Sequence, residues 1–182
     1  MNSFELSILN FIQEKFKCAF LDWFMPVITK LGDGGIFWIV IAVILLISKK
    51  YRKIGAMMSV SLILGLIFGN GILKNVVART RPYDMDNVGV TLLVKRLSDF
   101  SFPSGHTLAS FEACTVLMIN NKKMGIPALI IAILVALSRL YLYVHYPTDV
   151  IGGIVLGVLF GFLACFIVNK FIEYYNNKKI TN

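Results

Sequence analysis

The chain has 182 residues, the length of one domain, and 57% of them are hydrophobic. With a mean hydropathy of +0.76 it is too apolar for an ordinary soluble domain. Its net charge of +8 comes from basic residues at the ends of apolar runs, not from a basic groove interleaved with aromatics. That arrangement sets nucleic acid aside and points to a bilayer.

In chain order, residues 1–32 mix Phe4, Leu9, Phe11, Phe16, Phe20 and Trp23 with Glu5, Glu14, Lys15, Lys17 and Asp22. The pattern is helical and amphipathic and predicts a helix lying in the membrane interface. Leu31-Gly32-Asp33-Gly34-Gly35 breaks the chain after it. Five spanning helices are then expected, at about Gly35–Ser48, Ile54–Leu73, Ser104–Ile119, Ile126–Val144 and Val150–Ile172. The expected fold is an all-α, polytopic membrane helix bundle in a single domain, 1–182. It comprises the interfacial segment 1–32, a helical core at about 33–172 and a cytoplasmic tail at 173–182. The basic loops Lys49–Lys53 and Lys122–Lys123 and the tail fall on one side, which the positive-inside rule makes cytoplasmic.

The opposite side collects the chemistry. It receives Lys74-x6-Arg81-Pro82, Pro103-Ser104-Gly105-His106 and Ser138-Arg139-x5-His145-x3-Asp149. Charged groups are expensive in lipid, so their gathering at helix ends marks a functional site. Each cluster alone has a plainer reading: a turn with a helix cap, a snorkelling lysine, a helix-end anchor, or a structural His–Asp pair. Together they supply what phosphoryl chemistry needs. Lys74, Arg81 and Arg139 can neutralise phosphate oxygens. Ser104 and Gly105 open a helix whose free amides point at an anion. Asp149 can hold one nitrogen of His145 while the other attacks, and His106 can protonate a leaving oxygen. Arg79 is a candidate contact for a second phosphate or a headgroup. No carboxylate or Cys/His cluster of metal-ligand type is present, so neither metal nor cofactor is expected.

Those three motifs resemble the signatures of the type 2 phosphatidic acid phosphatase superfamily, which includes bacterial lipid phosphatases, glucose-6-phosphatase and vanadium haloperoxidases. The resemblance covers about residues 20–170. It implies a metal-independent phosphatase working through a phosphohistidine, with His145 as nucleophile, Asp149 as its orienting partner and His106 as general acid. It makes Lys74, Arg81, Ser104, Gly105 and Arg139 phosphate ligands. The chain is most similar in kind to small bacterial undecaprenyl pyrophosphate phosphatases; phosphatidylglycerophosphate and phosphatidic acid are the alternative substrates. A non-catalytic lipid-binding or transport protein would need only the cations, not the nucleophile and acid. The expected setting is the plasma membrane with an extracytoplasmic site. The partners are a phosphorylated lipid and the bilayer, with no obligate protein partner.

Among the remaining residues, Glu112 is expected to make a structural hydrogen bond, and Tyr141, Tyr143 and Tyr146 to form an interfacial belt. The stripe Gly153-x3-Gly157-x3-Gly161 is expected to pack against a neighbouring helix of the same chain.

Overall fold

The computed structural model describes residues 2–85 and 90–181, and no strand occurs among them. The outermost residues of the expected N-terminal segment and tail, and positions 86–89 of the 74–103 loop, lie outside the described residues. The helices are α1 (Asn2–Phe16), α2 (Ala19–Thr29), α3 (Ile36–Ile47), α4 (Arg52–Leu64), α5 (Lys74–Val77), α6 (Gly105–Asn120), α7 (Lys122–Tyr141) and α8 (Pro147–Thr181). The stretch IFWIVIAVILLI of α3 is rich in β-branched residues that favour strands in water. In hydrocarbon each backbone amide must be satisfied within the segment, and that requirement makes it a helix.

Among the described residues, four stretches are long and apolar enough to cross a membrane: Ala19–Ile47, Arg52–Asp84, Lys122–Tyr141 and Pro147–Lys179. Helix α6, the third expected span, has only 16 residues. That is about 24 Å, less than the roughly 30 Å hydrocarbon core. Its N-terminus, capped at buried Ser104, lies in the polar site. Around it pack α3, α4, α7 and α8, and Thr107–Leu117 has only one residue that is not fully buried. The outer faces of α3 and α8 carry exposed Ile36, Ile44, Ile47, Val155, Phe162 and Phe166, as lipid-facing surfaces should. The chain is thus a multi-pass membrane helix bundle.

Three details differ from expectation. Residues 1–32 form two helices, α1 and α2, because the chain is extended at Cys18 (φ −155°), and α2 belongs to the apolar stretch Ala19–Ile47 and not to an interfacial helix. Helix α8 runs on to Thr181, so the tail from residue 173 continues as helix. The tyrosines do not form a belt. Tyr141, Tyr143 and Tyr146 are buried with Leu9 and Tyr83, because α1 folds over the turn that follows α7.

The glycine stripe of α8 lies directly on α6. A Cβ on Gly153 would fall 2.9 Å from the Ser104 carbonyl oxygen, and one on Gly157 2.8 Å from that of Leu108. This backbone-to-backbone approach, of the kind small residues permit, seats the start of α8 under the start of α6. The Ser104 amide donates to the Asp149 carbonyl at 3.0 Å. Between α4 and α5 the backbone winds as a π-helix, Gly65–Leu73. Extra residues per turn rotate the following side chains, and here they deliver Lys74 into the interior, 6% exposed.

Candidate active site

His145 occupies the turn between α7 and α8 and is 1% exposed. Its Nε2 lies 3.2 Å from Arg81 Nη1. A guanidinium can only donate, so Nε2 is the bare nitrogen and Nδ1 carries the proton. Nδ1 faces the Asp149 carboxylate at 3.5 Å and the Ser101 hydroxyl at 3.4 Å. Asp149 is itself fixed: its Oδ2 accepts from the Ser101 hydroxyl at 2.5 Å and the Tyr146 amide at 2.9 Å. Burial, together with the charges of Arg139 and Arg81, outweighs Asp149 and lowers the His145 pKa to about 3. The imidazole is therefore neutral at neutral pH, with a free lone pair facing a cation.

Arg81 is 2% exposed and tightly held. Its Nη1 donates to the Val144 carbonyl at 2.7 Å and its Nε to the Asp99 carbonyl at 2.9 Å. Its Nη2 pairs with the Asp99 carboxylate at 2.6 Å. Lys74 Nζ pairs with the other oxygen of the same carboxylate. Burial raises the Asp99 carboxyl, but Lys74 and Arg81 override it and hold it at about 2. A carboxylate thus sits between two buried cations. Arg139, 2% exposed, reaches Thr29 Oγ1 at 2.5 Å, while its Nε has no partner among the described residues.

Helix α6 does begin at Gly105, with Ser104 buried beside it, but the Ser104 hydroxyl bonds to Thr107 Oγ1 at 2.9 Å. Gly105 is pressed on by a side chain: a Cβ there would come 2.7 Å from Asn70 Oδ1. His106 Nε2 lies 2.8 Å from the exposed Asp33 carboxylate. Gly32 lets that segment approach, since a Cβ on it would sit 2.6 Å from the His106 ring. His106 borders two cavities. One, of about 250 Å³, runs from Lys74 and Asp99 down to Leu62, Leu66 and Glu112. The other, of about 430 Å³, lies toward Lys30, Lys95 and Arg139.

Lys74 and Arg81 are therefore brought together around Asp99, and Arg81 links them to His145 and, through it, to Asp149. Arg79 is not turned to that cation cluster; it pairs with Asp149 Oδ1 at 2.7 Å and with Glu5. The carboxyl of Glu112 makes the expected structural hydrogen bond, with the Gly65 backbone, while its Oε1 has no partner among the described residues. Asp99, Ser101 and Asp33 do not stand out in the sequence. Their one signal there is position: Asp99 and Ser101 fall within five residues of Ser104, and Asp33 lies in the Gly-rich break. Among the described residues no three His, Cys, Asp or Glu side chains gather as a metal site.

A family model described as the PAP2 superfamily matches residues 50–173. An undecaprenyl-diphosphatase of Sulfolobus acidocaldarius is 39% identical over 147 residues, covering 80% of this chain and 70% of that protein. The undecaprenyl-diphosphatase BcrC of Bacillus subtilis is 31% identical over 143 residues, covering 79% and 72%. Among solved structures, a transmembrane PAP2 type phosphatidylglycerolphosphate phosphatase from Bacillus subtilis superposes with a TM-score of 0.71 at 30% identity, over 94% of this chain and 86% of that one.

Proposed function

We propose that this chain, which belongs to the PAP2 superfamily, is a lipid diphosphatase converting undecaprenyl pyrophosphate to undecaprenyl phosphate. The observation that carries the chemistry is the bare, neutral Nε2 of buried His145 facing Arg81, with Asp149 behind the protonated Nδ1. In the first step Nε2 attacks the terminal phosphorus. A nitrogen–phosphorus bond forms, the bond from phosphorus to the bridging oxygen breaks, and His106, which takes up a proton beside the anionic diphosphate, donates it to that oxygen. In the second step water attacks the phosphohistidine, His106 takes the water's proton, and inorganic phosphate leaves with His145 restored. Lys74, Arg81 and Arg139, with the amides at Ser104 and Gly105, carry the charge on the equatorial oxygens. Asp99 must give way for the phosphate to reach Lys74 and Arg81.

The undecaprenyl-diphosphatases among the relatives support the polyprenyl substrate. The Bacillus subtilis structure supports phosphatidylglycerophosphate as the second reading. The positive-inside argument supports a plasma-membrane protein in one domain whose site faces the extracytoplasmic side, where cell-wall assembly would release the diphosphate lipid. Phosphate release by purified protein from undecaprenyl pyrophosphate, phosphatidylglycerophosphate and phosphatidic acid, compared by kcat/KM, tests the assignment. Preference for either glycerolipid overturns the polyprenyl reading, and release from none of the three overturns the phosphatase.

A further inference from the structure

Asp149 Oδ2 is satisfied by Ser101 and Tyr146, but among the described residues Oδ1 receives only Arg79 Nη1, at 2.7 Å. Asp149 is fully buried, and an uncompensated carboxylate oxygen there would be costly. Arg79 lies over the Tyr146 ring, its Cζ 3.8 Å from the centroid. It needs a second anchor to stay aimed, because Arg79 sits in a loop after α5. Glu5 of α1 provides it. Glu5 is 5% exposed; its Oε2 pairs with Arg79 Nη2 at 2.5 Å. Its Oε1 accepts from the Thr148 amide at 3.1 Å and the Thr148 hydroxyl at 2.6 Å. Thr148 also accepts from Arg79 Nη1 at 2.7 Å, which closes the ring of contacts. Burial raises the Glu5 carboxyl, yet the Thr148 and Arg79 contacts lower it overall, so it stays charged.

The rest of α1 is clamped on the same turn. Gln13 donates to the Tyr141 carbonyl at 2.5 Å, Tyr143 donates to Asn10 Oδ1 at 2.7 Å, and Leu9 is fully buried among the tyrosines. The polar residue of this amphipathic helix points inward, while Phe4, Phe11 and Phe16 are exposed outward. A helix that only lay in the interface would have no reason to bury a glutamate.

We propose that Glu5 is a positioning residue for the nucleophile: acting through Arg79 it fixes the Asp149 carboxylate behind His145, which makes α1 a working part of the site. The chain of contacts is Glu5, Arg79, Asp149, His145. Only the last of these touches the reacting phosphorus. The inference rests on the phosphatase reading for its kinetic consequence, but its structural consequence stands apart from turnover.

The test uses the full chain in detergent, with Glu5→Gln, Arg79→Gln, Arg79→Lys, the Glu5→Gln/Arg79→Gln double variant, and Glu14→Gln as a control on the exposed face of α1. By analogy with groups that orient metal ligands, loss of such a partner lowers kcat about 10–100-fold, with KM changed less than about twofold. The double variant loses less than the product of the two single losses, because Glu5 reaches the Asp149 carboxylate through Arg79 and its remaining contact is with Thr148. In Arg79→Gln the acid limb of the kcat profile moves to higher pH, since an uncountered Asp149 makes His145 more basic; Arg79→Lys restores the limb. Hydrogen exchange read on residues 144–149 rises in Glu5→Gln and not in Glu14→Gln, whether or not any lipid is turned over. A rise in KM at constant kcat would show Arg79 to be a headgroup contact instead. Additive losses, or unchanged exchange in Glu5→Gln, overturn the proposal. Wild-type inactivity on every lipid overturns the phosphatase reading alone.

Discussion

On the proposed reading Asp99 occupies the cation pair that would hold the phosphate, so neutralising it should strengthen phosphate binding. Asp99→Asn keeps the shape and removes the charge. Holding this carboxyl at about 2 instead of 3.8 corresponds to about 2.4 kcal/mol of attraction to its partners. The side chain is 50% exposed, and solvent screening cuts that figure to roughly 1 kcal/mol. A phosphate entering the wild-type site must replace this interaction, and one entering the variant replaces a weaker amide contact. The expected gain is about fivefold, read as a fivefold fall in the inhibition constant of inorganic phosphate. The sign for stability is the opposite. A carboxyl depressed in the folded state contributes stability above pH 3.8, and this is lost as the pH falls toward 2. Asp99→Asn should therefore unfold at lower temperature than wild type at pH 7, and the two should converge near pH 2. An unchanged or raised phosphate inhibition constant would refute the reasoning. It would mean that Asp99 orients Lys74 and Arg81 for the substrate and does not stand in its place.

His145→Ala should abolish turnover, and Asp149→Asn should slow it on the order of 10⁴-fold by analogy with hydrolase triads. Protein quenched in alkaline detergent, where an N–P bond survives, should carry label from phosphate-labelled lipid in wild type, and label retained in a His145→Ala variant that still turns over would assign the nucleophile elsewhere. Activity should survive EDTA, because basic side chains and helix amides meet the phosphoryl charge; complete loss restored by magnesium would contradict this. A cysteine replacing Asn121, in a chain without its native cysteines, should stay unlabelled by an impermeant reagent outside intact cells. Gly157→Leu should destabilise the bundle and lower activity, since a Cβ there already falls 2.8 Å from both the Leu108 carbonyl oxygen and the Phe111 Cβ.

The basic and histidine residues of the site were legible because charge gathered at the ends of apolar runs is costly beside lipid and persists where a ligand needs it. Lys74, Arg81, Arg139, His106, His145 and Asp149 all stood out on that ground. The carboxylates that complete the arrangement did not. Glu5, Asp33 and Asp99 lie in segments with many polar neighbours, where an acid reads as a solvated charge. Only the fold shows that Glu5 is turned inward and that Asp99 bridges two buried cations.

The helices themselves were legible for a related reason, and their orientation was not. In water an apolar stripe marks the buried face of a helix. In lipid the outer face is apolar too, so the stripe loses its meaning: on α3, Ile36 and Ile44 face outward while Trp38 and Leu45 are buried. What marks the inside of this bundle is polarity and smallness. Helix α6 buries Ser110, Glu112 and Thr115 along with its apolar residues, and Trp38 reaches the Ser110 hydroxyl at 3.0 Å. The glycines of α8 then bring that helix onto α6. The same logic explains the tyrosines. Three aromatics at a helix end suggest a belt facing the headgroups, until a second amphipathic element covers them. Helix α1 does so because its Leu9 and Glu5 both find inward partners, apolar and ionic, at the turn that carries His145.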